Sequence, residues 1–138
     1  MGRTGAGVVR VFKTKWFVRF ARRQKIPDRE LCEAVQRAER GLVDADLGGG
    51  VIKQRLARSG QGRSGGFRGV ILFRIRSRAF FVYGFPKSER DNIDASELEA
   101  FRNLAVVMLD YDDDQLRQAL ETEALQEVWC DGRQDIQE

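Results

Sequence analysis

VIKQRLARSGQGRSGGFR, residues 51–68, decides how this chain folds and what it is built to meet. Residues 51–57 alternate, because successive strand side chains point to opposite faces: Ile52, Gln54 and Leu56 go one way and Lys53, Arg55 and Ala57 the other. A strand here sets Lys53 and Arg55 side by side on one surface. The loop SGQGRSGG is too long for a two-residue hairpin turn and leads into a second strand beginning at Phe67. No acidic residue lies between Asp46 and Glu89, while nine Lys or Arg residues do. So one-sided a span calls for a polyanion.

Working outward, residues 67–75 and 79–85 are rich in aromatic and branched residues and read as strands joined by a tight RSR turn. With residues 51–57 they make a three-stranded antiparallel meander, and VVRVF at 8–12 supplies a fourth strand. Residues 13–24 carry Trp16, Phe17, Phe20 and Ala21 at helical spacing, with a polar face that is wholly basic. IPD breaks this helix, Asp28 is the expected cap of a second one bearing Leu31, Val35, Ala38 and Leu42, and Gly41 is its terminator. The two helices form a hairpin. LVDADLGGG then leads back to residue 51.

Past GFPKSERDNI, Asp94 and Glu97 have the spacing of a capping box for a helix with Leu98, Phe101, Ala105 and Met108 inward. DYDDD ends it, and a last short helix with Leu116, Ala119 and Leu120 precedes a tail containing Val128 and Trp129. The expected fold class is α+β: an N-terminal strand and helical hairpin packed on a small antiparallel sheet, with extra C-terminal helices. Its divisions are a leader at 1–7, a main domain at 8–109 and an acidic C-terminal extension at 110–138.

Charge divides along the chain. Residues 1–90 hold 21 Lys/Arg against 7 Asp/Glu, a balance of +14, whereas residues 91–138 balance at −11. This suits a nucleic-acid-facing body with an acidic appendage, which either folds back to tune access or packs as helices at the sheet edge. Cys32 and Cys130 lie far apart and read as neither a disulfide framework nor a metal site. No segment has the length of a membrane span and nothing directs export, so a cytoplasmic protein is expected.

The chain has no histidine, which excludes Ser/His and Cys/His nucleophile systems and the commonest metal ligand. It has no GxxxxGK[ST] loop, and the glycines of GQGRSGG precede a strand rather than a helix, so neither a nucleotide cofactor nor a metal is expected. The acid run at 110–114 lacks the pattern of a calcium loop. What remains is a basic constellation: Lys53, Arg55, Arg68, Lys87 and Arg90, with Arg58 and Arg63 in the loop as further RNA-binding candidates. Clustered cations lower the pKa of a lysine, which can then take a proton from a ribose hydroxyl while arginines neutralise the phosphate. Metal-free RNA cleavage by 2′-hydroxyl attack needs only those parts. The same face also fits phosphate binding without chemistry. Phe85 is the stacking candidate, and Trp16, Phe17 and Phe20 read as core.

The order of these elements, and the pieces VIKQRLARSGQGRSGGFR and FVYGFPKSERDNID at their spacing, resemble the RelE/ParE/HigB superfamily of bacterial toxin–antitoxin modules over residues 8–108. The resemblance points to the RelE-like branch whose partners are helix-turn-helix antitoxins. It implies an α/β toxin that cuts messenger RNA in the ribosomal decoding site. Lys53 and Arg55 match the basic strand, Arg68 the Gly-aromatic-Arg element, and Lys87 and Arg90 the element after the last strand. The terminal tyrosine or histidine of some members has no equivalent; Asp91, Asn92 and Asp94 lie near that place, with Asp91 or Asp94 a candidate base and Asn92 an RNA contact. The implied partners are a cognate antitoxin, messenger RNA and the ribosome, with operator DNA bound only by the toxin–antitoxin complex and no membrane. Two alternatives stand beside this: a ParE-like gyrase inhibitor, and a non-catalytic nucleic-acid-binding module or corepressor.

Overall fold

The computed structural model describes residues 9–57 and 66–130. Arg58 and Arg63, and the leader at 1–7, lie outside the described residues. Strand β1 (Arg10–Thr14) passes directly into helix α1 (Lys15–Gln24), where the Thr14 hydroxyl accepts from the Phe17 N–H at 3.3 Å and caps the turn. Lys25, at φ 59, ends α1 in the left-handed conformation. Helix α2 (Asp28–Glu39) follows the extended Pro27. Asp28 does not cap it, contrary to expectation; its carboxylate takes the Lys13 ammonium at 2.9 Å and ties β1 to α2. Gly41, at φ 84, does terminate α2, and Leu42 is exposed beyond the helix rather than part of its apolar face.

Strands β2 (Ala45–Gly48) and β3 (Val51–Leu56) form a hairpin whose turn uses Gly48, Gly49 and Gly50, all at positive φ. At Gly50 a Cβ would also land 2.9 Å from Leu109 Cδ1, so glycine lets the turn approach the helix behind it. Strands β4 (Phe67–Arg74) and β5 (Arg78–Pro86) complete the meander. Helices α3 (Ala95–Met108) and α4 (Asp113–Glu121) each begin with a capping box, Asp94 with Glu97 and Asp112 with Gln115. A last strand, β6 (Leu125–Val128), ends the described chain.

The six strands are ordered β2-β3-β4-β5-β1-β6, antiparallel except for the β1–β5 pair. The fold is thus α+β as expected, with two short strands, β2 and β6, added at its edges. Two cores flank the sheet. Phe17, Phe20, Leu31, Val35, Ile71 and Phe81 pack on the α1–α2 side, and Phe12, Val70, Phe80, Ala105, Met108 and Leu116 on the α3–α4 side. The expected separateness of the two cysteines is overturned: Cys32 and Cys130 are joined in a disulfide, their Cα atoms 5.5 Å apart. Strand β6 pairs with β1 and buries Val128 on the α2 side, which returns residue 130 to Cys32 across a separation of 98 residues.

One irregularity aims side chains. Between Val70 and Ile71 the β4–β5 register slips, so Val70 faces Tyr83 while Ile71 faces Phe81, and Val82 is the extra residue of a bulge. Strict alternation from Phe80 would put Gly84 on the α3 side; the bulge puts Tyr83 and Phe85 there instead.

Candidate functional site

Strand register brings the predicted cations together. Arg55 lies directly opposite Arg68, and Arg68 opposite Phe85; one step along, Lys53 lies opposite Val70, and Val70 opposite Tyr83. These two rows share the α3 side of the sheet, beyond the N-terminal end of α3. The alternation read in residues 51–57 holds, for Ile52, Gln54 and Leu56 are buried on the other face.

The segment between β5 and α3 folds onto these rows. The Lys53 ammonium donates to the Asp91 carbonyl and to Asn92 Oδ1, both at 3.1 Å. Burial holds Lys53 below the ordinary lysine value; the Arg68 charge adds to this, and Asp91 and Asp44 oppose it. Asn92 Oδ1 also accepts from the Ile93 N–H, and the Asn92 carbonyl accepts from Arg90 Nε at 2.9 Å. Asp91 is exposed, and its carboxylate has no hydrogen-bond partner among the described residues.

Besides that bond to the Asn92 carbonyl, Arg90 is fixed by three further groups. Its guanidinium makes a bidentate pair with Glu97 at 2.6 and 3.2 Å, donates to the Tyr83 hydroxyl at 3.2 Å, and lies 5.3 Å from the centre of the Phe85 ring. Hydrogen bonding from Arg90 keeps the Glu97 carboxyl below the usual range. Phe85 is only 3% exposed, so the ring proposed for base stacking lies under Arg90 instead of facing solvent. Asp94 is the N-cap of α3, accepting from the Glu97 N–H and the Ser96 hydroxyl, bonds that hold its carboxyl low. It caps the helix, and the neighbouring Arg90 charge also lowers it.

The two arginines of the first row differ. The backbone N–H of Arg55 donates to Asp44 Oδ2 at 2.7 Å and its guanidinium to Asp44 Oδ1 at 3.3 Å. Burial pushes the Asp44 carboxyl up, but those bonds and the charges of Arg55 and Arg37 outweigh it, and the net shift is downward. Arg68 has no carboxylate partner among the described residues, and its guanidinium reaches only the Phe67 carbonyl, at 3.4 Å. Lys87 is exposed at the rim, where its backbone N–H closes on the Gly66 carbonyl at 3.1 Å.

Residue patterning had not marked Asp44, Tyr83, Glu97 or Trp16 as part of this neighbourhood. Only Glu97 carried a signal, as a helix cap. Trp16, read as core, is 40% exposed and stacks within 5.2 Å of Phe20 and 4.7 Å of Tyr83.

Two carboxylates of the described C-terminal extension pair at the other end of the sheet. Arg74, Arg78 and Arg10 are cross-strand neighbours at the far end of β4, β5 and β1, about 20 Å from Arg68 along the strand. Asp110 pairs with Arg74 at 3.0 Å, Glu127 pairs with Arg10 at 2.9 Å, and Arg78 donates to the Tyr111 carbonyl. Burial and then the neighbouring arginines lower the pKa of Arg78. Asp110 and Glu127 therefore balance two of those three arginines, at the end of the sheet away from the rows of Lys53 and Arg68.

A family model described as the RelE toxin of the RelE/RelB toxin–antitoxin system matches residues 9–128, most of the chain and well into its C-terminal part. No curated protein matches the chain significantly.

Proposed function

Since the chain belongs to the RelE toxin family of toxin–antitoxin systems, we propose that it inhibits growth as an endoribonuclease that cleaves translated messenger RNA without a metal. The observation that supports this best is a lysine whose ammonium is destabilised by burial, on the same sheet face as two arginines paired across strands. A family of this kind has an antitoxin as partner. The finer reading is a helix-turn-helix antitoxin, action in the cytoplasm at the ribosomal decoding site, and operator DNA bound only by the toxin–antitoxin complex.

In this mechanism neutral Lys53 takes the 2′-hydroxyl proton, the resulting oxyanion attacks phosphorus, and the bond to the 5′-oxygen breaks. A 2′,3′-cyclic phosphate remains, and the departing 5′-oxygen takes a proton from water. Arg55 and Arg68 balance charge gathering on the phosphate oxygens, the term that usually contributes most to such catalysis. Lys87 extends the positive border, Arg90, paired with Glu97, holds the segment over the rows, and Asp91, beside the ammonium, is a second group able to accept the proton. Arg68 is the better bet for direct phosphate contact, because Arg55 is already paired with Asp44.

Mapping RNA ends during brief induction tests the reading. New ends within coding regions, carrying cyclic phosphate and absent for Arg68→Ala, are the expected result. Intact transcripts together with gyrase-linked DNA breaks would replace it with gyrase inhibition. Salt-sensitive RNA binding without any turnover would reduce it to a binding module.

A further inference from the structure

Helix α1 carries cations that the proposed reaction does not use. Lys15, Arg19, Arg22 and Arg23, with Lys25 just beyond, are all exposed, and α1 contains no acidic residue. Among the described residues no ion pair reaches any of the five. Arg22 and Arg23 favour the C-terminal end of the helix dipole, but Lys15 in the first turn opposes it. Arg19 repels Arg22 and Arg23, three and four positions on. The helix thus tolerates a charge pattern that does little for its own stability.

Helix α1 packs on the sheet face opposite the rows of Lys53 and Arg68, and its first turn touches the border of the site. Trp16, half exposed at the start of α1, packs on Tyr83, and Tyr83 accepts the hydrogen bond from Arg90. From Trp16 to Arg23 the helix extends the basic surface by about 10 Å. Cations following an aromatic group suit a strand of nucleotides, whose phosphates and bases alternate along its length. A protein partner fits less well. Apart from Trp16 the exposed face of α1 is charged, whereas the centres of protein interfaces are depleted in lysine and rich in apolar groups.

We infer that α1 is the outer half of a track for single-stranded RNA, gripping phosphates that flank the nucleotides lying on the sheet. The inference rests on the ribonuclease reading for the identity of the polyanion, but not for its geometry.

The test uses the full chain and uncleavable 2′-O-methyl oligouridylates of about 5 and about 15 nucleotides, a range spanning common single-strand site sizes. The wild type should bind the longer one at least about tenfold more tightly at low salt. Combined Arg19→Ala, Arg22→Ala and Arg23→Ala substitution should abolish that gain, leave the short oligomer unaffected and reduce the salt slope by about 2. A retained length gain in the triple variant overturns the inference. So does a loss seen only with poly-glutamate, which would make α1 an acidic-protein site. Cleavage of an unmodified transcript by the wild type and by Arg68→Ala is measured in parallel. Absent cleavage with α1-dependent binding refutes the ribonuclease mechanism and upholds the track. Normal cleavage with α1-independent binding does the reverse.

Discussion

The Lys53 ammonium on β3 and the side-chain oxygen of Asn92, 39 residues later, are hydrogen-bonded at 3.1 Å. The segment after β5 therefore holds the lysine in its charged form, while burial and Arg68 favour the neutral form. If Lys53 is the proton acceptor, cleavage should rise with pH through a pKa below the ordinary lysine value of 10.5. Asn92→Ala removes an acceptor from the charged form and should move that rise to lower pH. A pH–rate profile of both proteins decides the matter; an unmoved profile would remove Lys53 from the role. Stability follows the same proton. Lys53 is depressed in the folded state, so the native chain releases its proton before the unfolded chain does. Wild-type stability should therefore gain on Lys53→Met as pH rises between the two values.

Arg68→Ala should lower cleavage by about 100- to 1000-fold, the usual loss for one group aimed at developing charge. With no carboxylate partner among the described residues to leave unpaired, the substitution should change stability by no more than about 0.5 kcal/mol. Turnover on a transcript and a denaturant midpoint measure the two effects. A large stability loss would mean that Arg68 is structural.

Asp94 separates cap from base. Asp94→Asn keeps a capping oxygen, so both stability and cleavage should stay close to wild type, whereas Asp94→Ala should cost about 1 kcal/mol. Loss of cleavage in the asparagine variant at full stability would restore Asp94 as a catalytic group.

Reduction of the Cys32–Cys130 bond should destabilise the chain by up to about 4.7 kcal/mol, the chain-entropy value for a loop of about 100 residues. Urea unfolding with and without dithiol, compared with Cys32→Ser/Cys130→Ser, measures the effect. Equal midpoints would show that the bond contributes nothing.

The parts of the site visible in the sequence are those governed by local rules. Alternation put Lys53 and Arg55 on one face, and the Asp94–Glu97 spacing announced a capping box. Tyr83 escaped because the bulge at Val82 reverses the face that plain alternation assigns; Phe85 stands out for stacking, but its burial under Arg90 was not legible. Strands β2 and β6 escaped because each has only four residues; β2 is the short arm of a hairpin with β3, and β6 exists by pairing with the distant β1. The cysteines escaped for the same reason, since only the β1–β6 ladder returns residue 130 to α2. Asp28 sat at a helix start and was read as a cap; Lys13, 15 residues earlier, claimed its carboxylate.

The disulfide also changes the connectivity of the molecule. It closes residues 32–130 into a covalent ring that contains every strand except β1, and β1 lies between two strands of that ring, β5 and β6. The N-terminal strand can thus leave the sheet only when both of its ladders break together, even though nothing covalent but its own backbone holds it there. Slow hydrogen exchange should accordingly reach the amides of Phe12 and Lys13, close to the chain's beginning, where fraying is the usual expectation.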